Sequence, residues 1–350
     1  MLLSISKEIC MRKLLNTLYI TTPESYLYKD GQNVVVSVKQ KEIFRIPIIN
    51  IEGIVTFGYM GASPGLMKLC YDNGVSLTFL SPSGRFISRV QGPIKGNVLL
   101  RREQLHWADN PEKSIHLAKT MISAKILNYR NILHRFLRDN GENQAVAEAA
   151  SFLEMSKREA LQTNNLDSLR GIEGIAANKY FSVFSELIIQ NKSQFPFVER
   201  NRRPPKDAVN ALLSFAYTLI ANDMQAALET VGLDPYIGFL HSIRPGRASL
   251  ALDMIEELRA YLGDRFVLSI INRKQLTQKD FLLQGDKSVA LTDGGRKTFL
   301  SAWQQRKRDE IIHPYLNEKI YIGLLPYIQS MLLARFIRGD IDDYPVFLIR

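Results

Sequence analysis

The chain has almost no cysteine: Cys10 and Cys70 are its only two in 350 residues. That excludes a disulfide framework and a cysteine-built zinc site, and it fits a reducing compartment, the cytoplasm. Apolar runs approaching the roughly 18 residues of a membrane helix are also missing, so no membrane partner is expected. The opening MLLSISKEICMRKLLNTLYI is broken by acids and bases and lacks the apolar core of a signal peptide. Met11 followed by Arg12 and Lys13 has the form of a start, which makes residues 1–10 an extension. Internal repeats and low-complexity tracts are lacking too.

Apolar residues and positive charge are abundant. A hydrophobic content of 46% supports a packed core, in one large domain or two. A formal charge of +10 favours polyanionic partners, nucleic acid above all, although a merely basic protein has the same excess.

Two regimes follow each other along the chain. In residues 11–95 short runs rich in Val, Ile, Phe and Tyr alternate with turn signals, and predict strands at 18–22, 26–29, 33–39, 41–47, 50–58, 75–80 and 86–90. Asp30-Gly31 has the composition of a hairpin turn, and residues 64–73 have helical spacing closed by Asn73-Gly74. The expected product is a small β-sandwich-like domain, serving as scaffold or dimer surface. Residues 96–112 read as a linker, with Gly96, Asn110 and Pro111 as its breakers. Residues 113–350 read as a larger all-α domain, so the fold class is α+β. Helices are expected at 113–138, 142–160, 165–190, 208–228, 250–262, 297–312 and 317–338. Lys119, Lys125, Arg130, Arg135 and Arg138 decorate the first of these, as a solvated basic face or as phosphate contacts.

Residues 234–259, DPYIGFLHSIRPGRASLALDMIEELR, concentrate chemistry. Ser249 can cap a helix whose apolar stripe is Ala251, Met254, Ile255, Leu258 and Leu262. Asp253, Glu256 and Glu257 share the opposite face, where Asp253 and Glu256 are close enough to serve one cation with His241 brought back by the turn. A solvated acidic face accounts for the same pattern. Glu173, in LRGIEGIAA, borders an apolar stripe, and Gly171 and Gly174 leave room beside it. Arg202 and Arg203, in RNRRPPKD, and Arg244 and Arg247, near His241, suit phosphate contacts, although a solvated linker and a basic surface turn account for them as well. Two carboxylates and an imidazole make a hard site suited to magnesium or manganese.

With LRGIEGIAA, GFLHSIRPGR and SLALDMIEELR in view, the chain resembles the CRISPR-associated integrase of the spacer-acquisition machinery. IPIINIEGIVTFG, RNRRPPKDAVNALLSFAYTL, INRKQLTQKDF and LLARFIRGDIDDYPVFLIR carry the same resemblance across nearly the whole chain from Met11. It implies an N-terminal β domain, a helical catalytic domain, a homodimer, and a smaller second adaptation protein in a complex on double-stranded prespacer DNA. It also implies a metal held by a glutamate, a histidine and a later acid, which fall on Glu173, His241 and Glu256. Many members have aspartate at the last position, and Asp253 stands one turn earlier as an alternative ligand or outer partner. The expected activity is insertion of prespacer DNA into a CRISPR repeat by 3′-hydroxyl attack, with nicking when water attacks instead. Two alternatives are a non-catalytic nucleic-acid-binding scaffold with structural acids and a metal hydrolase acting on small phosphate esters.

Overall fold

The computed structural model describes residues 17–20, 22, 24–51, 53–57, 61–80, 86–90, 98–202 and 204–349. The chain divides into two compact units, Met1–Gly92 and Pro93–Arg350. The 1–10 extension lies outside the described residues.

In the first unit, β1 (Thr17–Ile20) pairs in parallel with β5 (Gly53–Phe57), β5 in parallel with β6 (Ser76–Leu80), and β6 antiparallel with β7 (Phe86–Val90). Between β1 and β5 the chain makes a second, antiparallel sheet from β2 (Ser25–Asp30), β3 (Asn33–Val38) and β4 (Lys41–Pro47). Gly31, at φ +57°, turns the β2–β3 hairpin as its composition predicts. Helix α1 (Pro64–Asp72) starts where the Ser63 side chain accepts from Leu66 N–H with proline at its first turn. Leu27, Val34 and Val36 of one sheet, Ile54 and Leu77 of the other, and Leu66 of α1 close a single core. The sandwich-like β domain with one helix is what the alternation predicts.

The second unit is mainly helical: α2 (Val98–Asp109), α3 (Pro111–Asn140), α4 (Gln144–Gln162), α5 (Leu166–Ser182) and α6 (Ala208–Val231) come first. The expected linker at 96–112 is therefore largely helix. Asn110 and Pro111 do not break the chain into a linker: Asn110 accepts from the N–H groups of Glu112 and Lys113, and Pro111 opens α3. Asn143 and Asn165 cap α4 and α5 in the same manner.

Next, α7 (Ser249–Leu258) passes through a π-helical turn (Arg259–Asp264) into α8 (Arg265–Asn272). Ser249 is the first helical residue, not the cap, and its hydroxyl donates to the carbonyl of Ser242. Beyond α8 a hairpin, β8 (Phe281–Leu283) and β9 (Val289–Leu291), precedes α9 (Asp293–Lys307). A second hairpin, β10 (Glu310–Ile312) and β11 (Lys319–Tyr321), precedes α10 (Leu325–Ile337). It takes up the end of one expected helix and the start of the next, because Pro314 breaks the pattern between them. No helix among the described residues is long and apolar enough to cross a membrane.

Candidate active site

The site is built on three helices that meet at Lys125. Lys125 is on the inward face of α3, an i+3 neighbour of Ile122 and an i−4 neighbour of Tyr129, and its side chain is 1% exposed. Its ammonium donates to Glu173 of α5 and lies 2.7 Å from Glu256 Oε2 of α7. Glu256 also meets Arg259 at 2.8 Å. Burial pushes the Glu256 carboxyl up, but Arg259 and Lys125, with His241 adding to them, outweigh it and hold the group at about 2. Lys125 is thus no part of a solvated basic face. Glu173 keeps 24% of its side chain exposed, and a Cβ on Gly171 or Gly174 would meet nothing within 4 Å, so the approach expected beside it is open.

His241 belongs to the loop ahead of α7. Its Nδ1 lies 2.6 Å from Asp253 Oδ1, and 23% of its side chain is exposed. Asp253 has no exposed surface and accepts from the backbone N–H groups of Phe239, Leu240 and His241 as well. A carboxylate accepting from backbone on both oxygens leaves Nδ1 as the donor, so Nε2 is the nitrogen available for other work. Three further contacts fix this loop. Gln104 of α2 donates to the carbonyls of Asp234 and Ile237 and accepts from Asp234 N–H. Arg170, one turn before Glu173, donates twice to the Leu240 carbonyl and so ties α5 to the histidine loop. Gly238 lies so close to α7 that a Cβ there would stand 2.7 Å from Asp253 Oδ2 and 2.8 Å from the Ser249 backbone carbon.

The acids of α7 do not share a solvent face. All three are buried, each with different partners. Glu257 accepts from Tyr344 Oη, Gln329 Nε2 and Phe347 N–H, and burial raises it to about 7. Beyond Glu256, the guanidiniums of Arg200 and Arg259 both lie over the Tyr217 ring, 5.4 and 5.2 Å from its centre, and its hydroxyl donates to buried Asp264. Arg200 also donates to Asn210 and Ser214, so three polar side chains of α6 receive it. Of the expected phosphate contacts, Arg202 and Arg244 are exposed and Arg247 is half-buried, while Arg203 lies outside the described residues.

Glu173 and Glu256 are thus brought to one point, with His241 near enough to act on Glu256 electrostatically. Among the described residues, no three His, Cys, Asp or Glu side chains form a ready cage for a metal ion. The point shared by the two carboxylates holds an ammonium, which shows that the donor set suits a cation. Lys125, Arg259, Arg170 and Gln104 are the residues that sequence reasoning missed. Lys125 alone had a signal, a cation in register with an apolar stripe.

The profile of the family described as CRISPR associated protein Cas1 matches residues 18–305. CRISPR-associated endonuclease Cas1 1 of Chlorobaculum tepidum is 50% identical over 97% of this chain and 100% of its own length. CRISPR-associated endonuclease Cas1 2 of Rhodospirillum rubrum is 47% identical over 96% of this chain and 98% of its own. Among solved structures, a CAS1 protein from Thermotoga maritima superposes with a TM-score of 0.80 at 22% identity, over 93% of this chain and 97% of that one. A Cas6-RT-Cas1–Cas2 complex gives 0.82 at 22% identity over 96% of this chain and 36% of that one. A casposase bound to integration product gives 0.80 at 20% identity, over 94% and 92%. The structural likenesses speak for the fold.

Proposed function

The chain belongs to the CRISPR associated protein Cas1 family, an endonuclease family of CRISPR adaptation, and from that premise we propose that it is a divalent-metal-dependent DNA integrase and endonuclease. Its reaction inserts prespacer DNA into a CRISPR array: a DNA 3′-hydroxyl attacks a phosphodiester, a new phosphorus–oxygen bond forms, and the displaced 3′-oxygen leaves and takes up a proton. With water as the attacker, the strand is nicked. The observation that carries this reading is the convergence of Glu173 and Glu256, from separate helices, on a single cation.

Glu173, Glu256 and His241 Nε2 would hold magnesium or manganese, which supplies charge stabilisation at the in-line displacement and eases ionisation of the attacking hydroxyl. Asp253 serves behind them: saturated with donors, it orients the imidazole and is not a ligand itself. With Nδ1 committed, His241 has one nitrogen to offer, and we assign it to the metal. Arg244 and Arg247 hold phosphates near the scissile bond, and Arg202 and Arg203 track the DNA backbone. The Cas6-RT-Cas1–Cas2 complex among the neighbours supports a second adaptation protein as partner, and the casposase bound to integration product supports DNA as substrate. To these we add a homodimer, double-stranded prespacer and repeat DNA, and the cytoplasm.

One observation favours a non-catalytic scaffold: Lys125 and Arg259 already neutralise the two acids. Strand transfer of a short duplex into a supercoiled plasmid bearing a CRISPR repeat, with manganese, separates the two. Glu173→Ala, His241→Ala and Glu256→Ala should each lose joining while still binding DNA. Joining at the wild-type rate in all three would leave the scaffold.

A further inference from the structure

Away from the Lys125 site the helical unit has an arginine-rich concavity, lined by none of Lys125, Glu173, His241 and Glu256. It lies where the C-terminal part of α3, α8 and the end of α9 meet, has a volume of about 640 Å³, and takes Arg135, Arg265, Arg273 and Arg306 into its lining. Asp139 and Asp309 are its only acids, so four arginines against two aspartates leave two positive charges in excess. Both acids are already engaged, Asp139 by Arg135 and Arg138 and Asp309 by Arg306.

Arg265 is the telling residue. Among the described residues its guanidinium has no carboxylate within ion-pair distance, and it and the Arg306 guanidinium both lie over the Tyr261 ring, 4.9 and 5.1 Å from its centre. Burial first, then the nearby guanidinium of Arg135, with Arg306 adding to it, brings Arg265 down to about 10. A half-buried cation crowded by like charges is unfavourable in itself, and an anion placed among the three relieves it. Phe136, Leu187, Ile189 and Leu268 give the same cavity an apolar wall.

We propose that this cavity binds a nucleotide, its phosphate among Arg135, Arg265 and Arg306 and its base against the Phe136 wall. Guanidinium forks match phosphate oxygens two at a time, and an aromatic wall takes any base by its face. The volume is that of a small-ligand site, which favours a single nucleotide over an extended acidic peptide. The nucleotide could be free or the end of a DNA strand, and the chemistry of capture is the same. This site is independent of the metal centre.

Calorimetry on the full chain without metal tests it, using inorganic phosphate, a deoxynucleoside 5′-monophosphate, a short single-stranded deoxyoligonucleotide with and without a 5′-phosphate, and an oligoglutamate peptide. The monophosphate should bind more tightly than phosphate, and Arg265→Gln and Arg306→Gln should each weaken it tenfold or more. Arg273→Ala, at an exposed residue whose loss spares the core, should weaken it severalfold, which keeps the test valid if the half-buried variants misfold. Glu173→Ala should leave it unchanged, so failure of the integrase reading is separately visible. A 5′-phosphate that tightens the oligonucleotide fivefold or more identifies a strand end as the ligand, and tight binding of the monophosphate alone identifies a free nucleotide. No binding of either, equal binding in Arg273→Ala and the other arginine variants, or preference for the peptide would overturn the proposal.

Discussion

Lys125 shows what a single residue does to this site. Its sequence position reads two ways, as one more cation on a basic helix or as a cation within an apolar stripe, and only tertiary packing decides. The stripe wins because two carboxylates from α5 and α7 wait for it. Removing one partner of a buried ion set costs about 3–5 kcal/mol, and the partial exposure of Glu173 places Lys125→Ala at the lower end, about 3 kcal/mol. Manganese should return much of that loss by occupying the point the ammonium leaves. Urea unfolding of wild type and Lys125→Ala, with and without manganese, measures both effects. If manganese stabilises neither protein, the carboxylates do not form the cation site assigned to them.

At the scale of elements, α7 and the loop before it were the least legible part of the site. The apolar stripe of α7 was plain, and so was the gathering of acids near His241. Periodicity sorts residues into two faces, however, and α7 is buried on every side, so the acids are told apart only by neighbours distant in sequence: a loop's own N–H groups for Asp253, two cations for Glu256, the chain's tail for Glu257. Gly238 is where loop and helix touch. Gly238→Ala should push the loop off Asp253, because the Ser249 backbone cannot yield, at about 1–3 kcal/mol. DNA affinity should persist while strand transfer falls at least tenfold, and a fall in DNA affinity of the same size would contradict a purely local role.

On the scale of the whole chain, strands, most helices and the order of the two units were legible, since alternation and capping residues are local signals. The hairpin after α9 and the last segment were not, because their partners are far away. Residues 344–349 run through the core of the helical unit: Tyr344, Phe347 and Ile349 are buried, Ile349 N–H donates to Asn128 of α3, and Asn131 donates back to the Ile349 carbonyl. A chain ending at Asp343 would leave Glu257 and Asn128 buried without those partners, and should lose several kcal/mol. Thermal melting checks it, and an unchanged midpoint would mean the tail packs without supporting the core. Helix α3 thus carries Lys125 at the cation site, Asn128 at the tail and Arg135 at the arginine-lined cavity. Lys125 and Arg135 are held about 15 Å apart by helical rise, and one residue added between them would swing the second by about 100°. Natural variation in length can enter the loops at either end of this rod, while its interior works as a ruler that admits neither insertion nor deletion.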